Sequence, residues 1–187
     1  MSNQEIVNET GAFRGRGIGV MFLAFFGTWW MVAGLDGILG IKLSLLSAVV
    51  GVGLFAAGWR QSQREEREPD AGDVAHALIN AQRAKMFRNV NIAQWGAIIC
   101  LLVVLNLVHH VEWIMPGIMV VVGLHFFPLA KLFRNKSHYV TGTALVALAA
   151  SYPFVTAQGP GSATGPIGAA LILWLSAATT LFQAARR

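Results

Sequence analysis

The chain has 187 residues, of which 55% are hydrophobic and only 12% charged, and its formal net charge is +5. A soluble domain carries about 25% charged residues, so this composition excludes an ordinary water-soluble fold and points to a bilayer. The positive charge does not imply nucleic acid, because the basic residues fall in short clusters between apolar runs and form no stripe on a folded surface.

The first sixteen residues, MSNQEIVNETGAFRGR, hold two glutamates and two arginines, and lack the apolar core and cleavage site of a signal peptide. Residues 1–17 are therefore expected to be a cytoplasmic N-terminal segment ahead of an uncleaved span. The glycine pattern GRGIGV has no strand before it and carries no nucleotide-binding meaning. Six apolar runs follow, at 18–35, 41–59, 92–108, 114–130, 139–157 and 167–183. Each is near the lower length limit for crossing the hydrocarbon core as a helix. None has the polar stripe that a soluble bundle would need. The fold class expected is an all-α, polytopic membrane protein with six transmembrane helices, a single membrane domain over 18–187.

Orientation follows from lysine and arginine. Arg14 and Arg16 precede the first run. Arg60, Arg64, Arg67, Arg83, Lys85 and Arg88 lie between the second and third, and Lys131, Arg134 and Lys136 between the fourth and fifth. Arg186 and Arg187 close the chain, and Lys42 alone lies on the other side. By the positive-inside rule both termini are cytoplasmic. The long cytoplasmic loop at 60–90 opens with the mixed-charge QSQREEREPD, expected to be solvated. Beyond Asp73, an N-cap residue type, Val74, Ala77, Leu78 and Ala81 share one helical face. That segment reads as an amphipathic surface helix suited to anionic lipid head groups, or as a plain extension of the third span. In the second run, Ser47, Gly51, Gly53 and Ala57 have the small-residue spacing of close helix contacts, within one chain or across a homo-oligomer.

Ionisable groups inside a membrane are the default functional candidates, and here they are few. The fourth run descends from the outside, so His125 lies roughly 9 Å above Lys131 at a rise of about 1.5 Å per residue. The third run ascends, which brings Asn91 and Gln94 to the same level, with Thr141 and Thr143 of the fifth near it. A polar layer of His125, Gln94, Asn91 and Thr143 is one candidate site. Its alternative is hydrogen bonding between helices that only holds them together. Pro128 would free a backbone carbonyl at residue 124. A second group, Asn106, His109, His110 and Glu112, sits at the outer boundary beside Trp113. His109 and Glu112, three residues apart, would share a face of a regular helix, but that is half a metal site. Cys100 is the sole cysteine, so an intrachain disulfide and a zinc-type cysteine motif are both excluded. The loop TAQGPGSATGP reads as a flexible connector. No nucleophile motif, phosphate loop or HExxH is present, so no catalytic residue, cofactor or resident metal is expected.

Three segments, FRNVNIAQW at 87–95, PGIMVVVGLHFFPLAKLF at 116–133 and HYVTG at 138–142, resemble a family of small bacterial integral membrane proteins of uncharacterised function. The resemblance implies a multi-pass protein of the bacterial cytoplasmic membrane, and the surface helix separately makes membrane lipids an expected partner. Three readings of function stay open: a small permease or channel-like protein, a non-catalytic scaffold or sensor acting through its cytoplasmic helix, and a membrane-embedded enzyme or metal-binding protein.

Overall fold

The computed structural model describes residues 16–35, 40–67, 74–133 and 135–186. All of its regular secondary structure among these residues is helical. Six long helices follow in order: α1 (Arg16–Leu35), α2 (Gly40–Arg67), α3 (Val74–Leu107), α4 (Ile114–Leu132), α5 (Ser137–Val155) and α6 (Thr164–Ala185). Short 3₁₀ turns at Val111–Trp113 and Gly159–Gly161 join α3 to α4 and α5 to α6.

Five of the six are long and apolar enough to cross a membrane. The exception is α5, where Ser137, His138, Thr141, Thr143, Ser151 and Tyr152 dilute the aliphatic content. Large apolar side chains lie open along these helices, among them Phe25, Trp29, Leu45, Val49, Trp95, Ile99, Leu107 and Leu175. Only 6% of the Gln82–Leu107 stretch of α3 is buried. Apolar surface on this scale is not tolerated in water, so the exterior is built for lipid.

One expected boundary moves. α2 runs on through QSQREER to Arg67, where a solvated loop was expected. Helix-forming Gln, Arg and Glu extend it, and Gln61 bonds Glu65 one turn on at 3.2 Å. The surface segment and the third span form one continuous 34-residue helix, α3. The expected apolar face of Val74, Ala77, Leu78 and Ala81 lies outside the described side chains.

The chain divides into two compact units, residues 1–70 with 170–187, and residues 71–169. In the first, α1 and α2 pack along most of their length. α2 buries Ser47, Gly51, Gly58 and Ser62, and α1 buries Gly17, Val20, Ala24 and Met31. These spacings of three, four and seven residues are those of ridges packed into grooves at a shallow angle. Gly51 is glycine because the Thr28 side chain occupies the place its Cβ would take. Gly53, on the same sequence pattern, faces open space. Gly27 abuts the indole of Trp174 on α6.

In the second unit, α4 and α5 form an antiparallel pair. Pro116, Met119, Gly123, Phe126 and Ala130 oppose Tyr152, Ala149, Leu145 and Gly142. The backbones meet at Gly123 and Gly142: a Cβ on Gly142 would stand 2.6 Å from the Gly123 carbonyl oxygen. The connector expected to be flexible is folded. Gly159 takes φ +61°, Thr156 Oγ1 donates to the Tyr152 and Gly159 carbonyls at 2.9 and 3.1 Å, and the buried Tyr152 hydroxyl donates to Pro160 O at 3.0 Å.

Replacing Gly51 by Leu is expected to overpack the α1–α2 seam and cost about 1–3 kcal/mol. The same change at Gly53 should stay within about 0.5 kcal/mol. Thermal unfolding of the two variants in detergent checks this, and equal losses would refute the seam.

Candidate functional site

Both candidate groups belong to the unit of α3, α4 and α5. The inner one starts from three consecutive side chains of α4. Phe126 points at α5, where its ring lies 5.6 Å from His138. Phe127 meets Tyr139 at 5.9 Å. His125, one position back, is turned to α3, and its ring hydrogen-bonds the backbone of Val90. Val90 adjoins Asn91 and is one turn from Gln94.

Their hydrogen bonds differ in kind. Asn91 Nδ2 donates to the Phe87 carbonyl of its own helix at 3.0 Å. His125 instead reaches across to another helix. Gln94 is half-buried beside them. Thr143 is not brought into the group. Its side chain is exposed, while its neighbour Gly142 meets α4. Thr141 is buried and bonds the Ser137 carbonyl at 3.0 Å. Pro128 stands inside α4, leaving the Leu124 carbonyl without an amide partner four residues on.

His138 is the member that sequence reading passed over. It opens α5, ahead of the apolar run, between the rings of Phe126 and Phe133, the latter at 6.3 Å. Phe133 in turn contacts Phe87 of α3 at 6.0 Å. The signal was present in the spacing 138, 142, 145, 149, 152, one helical stripe that places His138 on the buried side of α5.

The outer group has a different geometry from the regular helix on which the His109–Glu112 pairing rests. α3 stops at Leu107, and His109 adopts φ 58°. His110 N bonds Leu105 O at 2.9 Å and His109 N bonds Asn106 O at 3.2 Å. That is a Schellman cap with histidine in the left-handed position usually held by glycine. The reversal turns His109 away and brings His110 Nδ1 to 3.0 Å from Glu112 Oε1. Both partners are well exposed, and an ion pair in that setting contributes little. Asn106 Nδ2 donates to the Leu102 carbonyl at 2.8 Å. Trp113 packs on Phe154 at 5.9 Å, closing α4 onto α5 at this end. Among the described residues no three His, Cys, Asp or Glu side chains come together to hold a metal ion. Cys100 is exposed on α3.

No protein-family model, no curated protein and no solved structure matches the chain.

At the outer turn, His109→Gly is expected to raise stability by up to about 1 kcal/mol by relieving the left-handed strain. A loss of stability there would show that the imidazole itself is needed.

Proposed function

We propose that the chain is a six-pass integral protein of a bacterial cytoplasmic membrane, with both termini cytoplasmic, and that it acts as a non-catalytic scaffold rather than as a transporter or an enzyme. The observation that carries this is how the polar groups of the apolar helices are spent. His125 bonds the α3 backbone and Asn91 bonds its own helix. Thr28, Thr141, Ser151 and Thr180 each bond a carbonyl four residues back. These are the bonds that hold helices in lipid, where an unsatisfied polar group is costly. A pathway would need such groups directed at a passing solute.

The orientation rests on thirteen of fourteen basic residues falling on one side. The bacterial setting rests on the resemblance around GLHFFPLAKLF. Counting α5 as the sixth pass is supported by its 19 residues and its antiparallel pairing with α4. In the scaffold reading the working surface is cytoplasmic and includes the start of α3, helical beyond its apolar run. A permease-like reading is second, favoured by Gln94 lying half-buried at the level of His125.

The test has two arms. In a Cys100→Ser background, a membrane-impermeant maleimide should label Gln158→Cys in intact cells and spare Gln63→Cys. The reverse pattern overturns the orientation. Proteoliposomes should leak protons and potassium no faster than empty vesicles, and His125→Ala should lower thermal stability by about 1 kcal/mol without altering that leak. A leak that His125→Ala removes would replace the scaffold with the permease-like reading.

A further inference from the structure

The inner end of the second unit carries clustered positive charge with no carboxylate paired to it among the described residues. Between residues 74 and 169 the only acidic residue is Glu112, and it sits at the opposite end, paired with His110. At the inner end the ring contacts Phe87–Phe133 and Phe133–His138 bring α3, α4 and the start of α5 together. Around these rings stand Lys85 and Arg88 on α3, Lys131 in the last turn of α4, and Lys136 just before α5. All four are exposed, and among the described residues none has a carboxylate partner. Phe133, at the centre, is itself partly open, at 36%.

We propose that this rim binds the headgroup of an anionic phospholipid, with the phosphate held by Lys131, Lys136 and Arg88 and the upper acyl chain lying against Phe133 and Phe87. The proposal rests on the membrane reading above and adds a defined lipid class and place to it. Its physical basis is charge complementarity. Cations at a membrane surface with no internal carboxylate find their counter-charge in lipid phosphate, at about 1 kcal/mol per basic residue. The aromatic floor sets this rim apart from a scattered basic fringe. It gives a lipid an apolar surface directly beside the charges, and the α3–α4 and α4–α5 contacts hold that surface in place. Long lysine and arginine stems can lie along it while their heads stay at the interface.

The test uses the full-length protein purified in a neutral detergent. It is titrated separately with phosphatidylglycerol, phosphatidylcholine and inorganic phosphate, and read by native mass spectrometry and by unfolding temperature. Phosphatidylglycerol should form a discrete adduct and raise the unfolding temperature, whereas phosphatidylcholine and phosphate should do neither. In Lys131→Gln/Lys136→Gln the affinity for phosphatidylglycerol should drop about thirtyfold, with the lipid-free unfolding temperature unchanged. Lys42→Gln, far along the chain on α2, should bind as the wild type does. Equal binding of phosphatidylcholine, full affinity in the double variant, or the same stabilisation by inorganic phosphate would each overturn the proposal. A chain found outside the membrane fraction would instead overturn the membrane reading, so the two failures are distinguishable.

Discussion

The backbone contact between Gly123 and Gly142 sets the terms for the second unit. In lipid there is no hydrophobic drive to bring helices together, because the tails are as apolar as the side chains. Association has to come from close packing, and close packing needs a place where two backbones can touch. With a Cβ on either glycine blocked by the other's carbonyl oxygen, the crossing point of α4 and α5 is fixed. From it follow the facing of Phe126 on His138 at one end and of Trp113 on Phe154 at the other. The first unit repeats the device with other residues, Gly51 beneath Thr28 and Gly58 beside the Gly17 carbonyl.

Once the helices are placed, the polar residues have few options. Hydroxyls of Thr28, Ser47, Thr141, Ser151 and Thr180 turn back to carbonyls of their own helix, which satisfies them without a partner helix, while the buried Ser44 Oγ on α2 has no partner. His125 is the one polar residue of α4's apolar run that crosses to a neighbour, and what it finds there is main chain. His138 crosses nothing. It sits between the rings of Phe126 and Phe133. Among the described residues of the second unit, the His110–Glu112 pair lies at one end, and Lys85, Arg88, Lys131 and Lys136 lie toward the other.

Some of this was legible in the chain. The apolar runs and the all-helical class follow from hydropathy. Other features were not. Whether Gly51 or Gly53 is the contact residue depends on helix rotation, which small-residue spacing leaves open. The pairing of Glu112 with His110 instead of His109 depends on a Schellman cap, and a histidine in the left-handed position has no strong sequence signature. The loop after α5 reads as flexible from its glycines and prolines, but the buried Tyr152 hydroxyl and Thr156 tie it down.

The sequence by itself determined that this is an apolar all-helical chain with its cations clustered between runs, because hydropathy and charge are properties of local segments. It also determined the depth of each residue along its helix, since rise per residue does not vary with packing. Only the tertiary structure decided which face of each helix turns inward. That choice is made by contacts between segments far apart in the chain, Gly123 with Gly142 and Thr28 with Gly51. It turned His125 toward α3, left Thr143 outside, and set His138 against Phe126 and Phe133.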